Sequence, residues 1–223
     1  MPPLLKELLD WSEVWALLIP LAVLIWKRKI HKATIPLFIY ICIALVLNFT
    51  QDVIWKNHLV FFYSSKPGDN IIFYHIHSII RMLLFSWFFV QLQQPFLHKT
   101  KRVVPFVFII IVIINYVLFE SIFTKFNSSM LGLEALVILF YCMVYFLNLL
   151  IEEDAVPYKK NATFWMVTGI SIYVVINFPI FIFYKSFSDT ALKFAVGIWD
   201  LHNITYIMLC IFIAKYFYNV SNE

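Results

Sequence analysis

Apolar residues run along this chain in seven long stretches, at roughly 12–26, 35–55, 71–92, 104–123, 130–151, 163–184 and 194–217, with short polar connectors between them. Each has about the ~20 residues that a helix needs to cross a hydrocarbon layer about 30 Å thick at about 1.5 Å per residue. The pattern predicts an all-α integral membrane bundle of seven transmembrane helices, forming one domain over residues 1–223. Turn residues agree with these boundaries. Pro67-Gly68-Asp69 breaks the second connector, Pro95 ends the third stretch, and Pro157 sits in the fifth connector. Pro20, Pro36 and Pro105 fall in or near expected first turns, where a missing N–H matters less. Pro179 lies inside the sixth stretch and is expected to kink that helix.

Composition sharpens the class. Hydrophobic residues make up 62% of the 223 residues and charged residues 13%, about half the charged share of a soluble domain. Seven spans would leave no room for a separate soluble domain. The first stretch follows an acidic start (Glu7, Asp10, Glu13) and lacks a small-residue cleavage site, so it reads as a retained span rather than a signal peptide. Trp11, Trp15, Trp26, Trp55 and Trp199 fall near span ends, as interfacial aromatics do.

Charge orients the bundle. Lys27, Arg28, Lys29 and Lys32, then Lys99, Lys101 and Arg102, then Lys159 and Lys160 occupy alternate connectors. The opposite connectors hold Lys56, Lys66, Lys125, Lys185 and Lys193, about nine cations against five. The positive-inside rule then puts the N-terminus outside and the C-terminus in the cytoplasm. The net charge of +4 sits in these short loops and so predicts no nucleic-acid partner. Cys42, Cys142 and Cys210 lie on three separate spans without metal-type spacing and read as small buried hydrophobes. Four glycines are too few for GxxxG packing to organise the bundle, which leaves the packing to Phe, Tyr and Trp.

Candidate chemistry is concentrated in the third span. Tyr74, His77, Ser78 and Arg81 fall on one helical face, and Arg81 lies about 15 Å deep. A guanidinium there is costly without a partner, so a carboxylate from another span is expected, with Glu134 and Asp52 the leading choices. Asn48, Gln51 and Asp52 share a face of the second span, Asn115 and Glu120 belong to the fourth, and Asn177 precedes the kinking proline. Glu134 opens a stripe that continues through Tyr141, Tyr145 and Asn148. The last span adds Asp200, His202, Asn203 and Tyr206. Most of these groups fall at similar depth, which predicts one polar pocket open to the outside and centred on Arg81. Its expected lining is Arg81, His77, Tyr74, Ser78, Asp52, Asn48, Glu120, Glu134, His202, Asn203 and Asn177.

Three functions compete for such a pocket: a small-ligand or ion site in a sensor or transporter, a metal-dependent intramembrane hydrolase, or a purely structural network. Zinc would draw on His77, His202 and Glu134, but His75 and His77 point about 160° apart on a helix and cannot share one ion. Retinal is argued against, because Asp200 is followed four residues later by Ile204 rather than by the lysine of microbial rhodopsins. His202 with Tyr206 likewise departs from the paired histidines of seven-helix zinc hydrolases. Phe164, Trp165 and Gly169, with Trp199, His202 and Asn203, resemble small bacterial seven-span proteins. That resemblance implies a bacterial inner (plasma) membrane location and carries no activity with it. The expected partners are the lipid bilayer, a small ligand or ion and, for a receptor, a separate cytoplasmic or membrane protein.

Overall fold

The computed structural model describes residues 2–28, 31–60, 68–119, 122–123, 126–151 and 161–221. The helices are α1 (Pro3–Asp10), α2 (Ser12–Lys27), α3 (Ile35–Lys56), α4 (Ile71–Gln91), α5 (His98–Leu118), α6 (Ser128–Ile151), α7 (Ala162–Thr190) and α8 (Leu192–Val220). No strand occurs among the described residues. The six helices α3 to α8 are long and apolar enough to cross a membrane, and α1 with α2 makes a seventh candidate if the two count as one broken span.

That break is where the structure departs most from the sequence pattern. The chain bends by 63° between α1 and α2. Helix ends leave carbonyls without intrahelical partners, and here two side chains satisfy them. The Trp15 indole N–H donates to the Leu8 carbonyl at 2.8 Å, and the Asn203 amide donates to the Leu9 carbonyl at 3.1 Å. With 16 residues α2 spans only about 24 Å, short of a hydrocarbon core by itself.

Other boundaries move as well. The fourth stretch, expected over 104–123, is helical from His98 to Leu118, so Pro105 lies two turns inside α5. Residues 98–104 contain no helix breaker, and the Lys101 ammonium is held by the Gln94 carbonyl at 3.2 Å. Pro20 similarly lies well inside α2. Helices α7 and α8 run through the expected connector and meet at Ala191; at 29 residues each they reach about 43 Å, more than one bilayer core. Pro179 is carried within α7, which remains a single helix.

Packing makes a ring. Helix α2 contacts α3, α3 contacts α4, α4 contacts α6, α6 contacts α7, α7 contacts α8, and α8 closes back on α2. Helix α5 lies outside, against α4 and α6, with only 17% of its apolar window buried. Two glycines matter at tight crossings, beside the aromatics expected to do most of the packing. A Cβ on Gly169 would lie 2.4 Å from the Phe212 Cβ, and one on Gly132 would lie 2.7 Å from Ile182. The Trp165…Gly169 pattern is thus a packing device between α7 and α8, with Trp165 stacked on Phe212 at 6.5 Å.

Candidate functional site

Inside the ring, the third-span face does what its spacing suggests. Arg81 is only 5% exposed and Glu134, across on α6, is fully buried. The guanidinium grips the carboxylate through two nitrogens, Nε to Oε1 at 2.5 Å and Nη2 to Oε2 at 2.8 Å. Its third nitrogen donates to the Tyr173 hydroxyl on α7 at 2.7 Å, and Ser78 donates to Glu134 Oε2 at 2.5 Å. The Phe181 ring lies 5.7 Å from the guanidinium carbon. A bidentate Arg–carboxylate pair is among the strongest hydrogen-bonded ion pairs, and in a low dielectric both charges need it. Glu134, not Asp52, is therefore the acid that balances Arg81.

A second cluster joins α2, α7 and α8. The Asn177 amide nitrogen donates to the Tyr173 carbonyl at 2.7 Å and to Thr205 Oγ1 at 2.8 Å, which identifies its other atom as the acceptor. That oxygen lies 2.6 Å from His202 Nδ1, so Nδ1 carries a proton. His202 Nε2 then faces Glu13 Oε1 at 3.4 Å, where one further proton between them satisfies both. Glu13 occupies the first turn of α2, a favourable place for a carboxylate. Its backbone carbonyl accepts from the Asn48 amide at 2.8 Å, and Asn48 also reaches the Tyr206 hydroxyl at 3.3 Å.

Two cavities open from these clusters. The inner one, about 20 Å³, lies between the Arg81 and Glu13 groups and is large enough for a single water. The outer one is a vestibule of about 420 Å³ at the end of the ring that carries the N-termini of α2, α4, α6 and α8. Glu13, Tyr74 and Trp199 line both. Four aromatic rings pack against one another in the vestibule wall. Tyr74 meets Phe126 at 6.3 Å, Phe126 meets Tyr184 at 5.0 Å, Tyr184 meets Trp199 at 4.9 Å, and Trp199 returns to Tyr74 at 5.7 Å.

The residues singled out in the sequence divide three ways. Arg81, Ser78, Glu134, His77, His202, Asn177 and Asn48 face the ring interior, with His77 stacked on Tyr40 at 5.9 Å and its Nε2 without a partner among the described residues. Asp52, Asn203 and Tyr74 line the vestibule instead, and Glu120 lies outside the described residues. Tyr141 and Asn148 do not join the site. They hold the Lys101 carbonyl at 2.6 Å and the Phe96 N–H at 3.2 Å, both at the opposite end. His75 turns away from His77, accepting from the Asn127 N–H at 3.1 Å and meeting the Ile122 carbonyl at 2.9 Å.

Arg81 lines the inner cavity, and each of its three nitrogens donates to a protein oxygen. The accessible chemistry belongs to carboxylates and aromatic rings. Glu13, Tyr40, Tyr173 and Thr205 were not singled out by sequence reasoning. Glu13 carried a signal, an acid in the first turn of an apolar helix; a buried tyrosine in an aromatic-rich chain carries none.

Among the described residues no three histidine, cysteine, aspartate or glutamate side chains gather as metal ligands. His77, His202 and Glu134 are not a zinc set: Glu134 is taken by Arg81 and Ser78, and His202 by Asn177 and Glu13. No protein-family model matches the chain, and no curated protein or solved structure matches it significantly.

Proposed function

We propose that this chain is a multi-pass membrane protein whose vestibule faces the outside of the plasma membrane and binds a small ligand, for sensing or transport. One observation carries the reading: a cavity of about 420 Å³, within the usual range of about 300–1,000 Å³ for small-molecule sites, is walled by aromatic rings and shares Glu13, Tyr74 and Trp199 with a buried polar cavity. The Asn203 Oδ1 and His77 Nε2 atoms have no partner among the described residues, although both residues are buried and line these cavities. Native proteins rarely leave such atoms unused.

The opposite half of the ring favours sensing over passage. It is filled by Phe85, Phe88, Phe89, Tyr216 and Phe217, all essentially unexposed. A ligand entering the vestibule meets a closed aromatic floor, and a transporter would have to open it. A receptor of this size would signal through a separate protein partner.

A second reading, a purely structural polar network, is favoured by the closed Arg81–Glu134–Tyr173 arrangement. A thermal-shift screen of small polar metabolites on protein in nanodiscs separates the two. Ligand binding predicts compounds that raise Tm in the parent and lose the effect in Asp52→Asn. A screen in which every compound leaves Tm unchanged would favour the structural network.

A further inference from the structure

The vestibule has a sign. Its lining includes the carboxylates of Asp10, Glu13, Asp52 and Asp200 against the ammonium groups of Lys6 and Lys56. One of these cations is already engaged, with Lys56 Nζ 4.1 Å from the centre of the Trp11 ring. The nearest fixed positive charge below, Arg81, is neutralised by Glu134. With Glu13 facing His202, the carboxylates of Asp10, Asp52 and Asp200 still outnumber the two ammonium groups, so the lining repels an anion and attracts a cation.

The walls supply the second half of the recognition. Trp199, Tyr74 and Tyr184 line the vestibule, and aromatic faces attract organic cations, most strongly where water is excluded. A hydrogen-bond acceptor is also in place. Asn203 is 2% exposed and lines the vestibule; its amide nitrogen is committed to the Leu9 carbonyl, while its buried Oδ1 has no partner among the described residues. Because the nitrogen is fixed by that carbonyl, the side chain cannot flip to offer a donor instead. An N–H-bearing cation satisfies it; a carboxylate does not.

We infer that the vestibule binds a small organic ammonium ion, its charge against Glu13 and Asp52 with an N–H donated to Asn203 Oδ1, and its apolar part against Tyr74, Tyr184 and Trp199. This rests on the ligand-binding reading above and narrows it to a chemical class.

The test uses three probes with one phenylethyl skeleton: 2-phenylethylamine, 2-phenylethanol and 3-phenylpropanoate. Binding to the full chain in nanodiscs is followed by tryptophan fluorescence, with empty nanodiscs subtracted for lipid partitioning. The amine is expected to bind saturably, about tenfold or more tighter than the alcohol, with the carboxylate weakest. Asp52→Asn should weaken the amine about tenfold and leave the alcohol unchanged; Glu13→Gln, which keeps a hydrogen bond to His202, should do the same. Should the alcohol or the carboxylate bind as tightly as the amine, the cation assignment is wrong while ligand binding survives. Amine binding that ignores both substitutions places the amine elsewhere and overturns the inference, as does failure of the amine to bind.

Discussion

The two ends of the helical ring are built on different principles. At the vestibule end, α2, α3, α4, α6, α7 and α8 each send a polar side chain inward, and Glu13, Asn48, Arg81, Glu134, Asn177 and His202 are all buried. At the other end the same helices send rings: Phe89 stacks on Tyr141 at 5.3 Å, and Phe88 meets Tyr216 edge-on at 5.8 Å. In lipid there is little hydrophobic drive for helices to associate, so packing and interhelical hydrogen bonds must hold them. This protein separates those two means along its axis. The aromatic half fits by shape and seals the bundle; the polar half fixes register and leaves space.

Breaking the polar half at its strongest point gives the largest expected effect. Glu134→Leu strands a buried guanidinium, which costs about 3–5 kcal/mol. The loss would appear as a lower unfolding midpoint in detergent. A second substitution sharpens the meaning: Arg81→Met on the Glu134→Leu background removes the stranded charge, and most of the stability should return. If the double variant is no more stable than the single, the pair is not what Arg81 depends on.

The aromatic half breaks differently. Gly169→Ala places a methyl 2.4 Å from the Phe212 Cβ, an atom fixed to the backbone that cannot rotate away. Overpacking of this kind costs about 1–3 kcal/mol, and the higher helix propensity of alanine returns at most about 1. A net loss of about 1–2 kcal/mol is expected, with binding at the vestibule unchanged because the crossing lies in the sealed half. Equal damage to stability and to probe binding would mean that the halves are coupled.

How far this division was legible in the sequence depends on the kind of signal. Helices α3, α4 and α6 start and end within about two residues of their apolar stretches, where the composition changes sharply at both ends. The depth and facing of Arg81 followed from helical spacing alone, and so did its need for an acid. Which acid did not follow: Asp52 and Glu134 are both plausible by depth, and only the ring order, with α4 beside α6 and α5 excluded, decides for Glu134. Nor did α1, since a run of apolar and polar residues at 3–10 carries no length signal for a span. Its bend is set by donors from Trp15 and from Asn203, the latter 194 positions away along the chain. The Trp199, His202, Asn203 run resolves into three tasks: vestibule wall, proton-bearing partner of Glu13, and cap of α1.

That cap provides the smallest and most local way to separate the two ends. Helix α1 has eight residues, too few to be stable alone, so it remains helical through what it docks against. Asn203→Leu preserves volume but removes the donor to the Leu9 carbonyl. An interhelical hydrogen bond of this kind is worth about 0.6 kcal/mol on average and up to about 1.7. A loss near the lower figure is expected, because the Trp15 indole still holds Leu8. Hydrogen exchange reads the effect better than global unfolding. Amides around Trp11 should exchange several-fold faster in the variant, while those of α6 and α7 stay as protected as in the parent. Adding Trp15→Phe should accelerate the same amides again, because it removes the other cap. If exchange there is unchanged in the single variant, the bend is set by local backbone preference at Trp11. Asn203 would then be freed from its structural task.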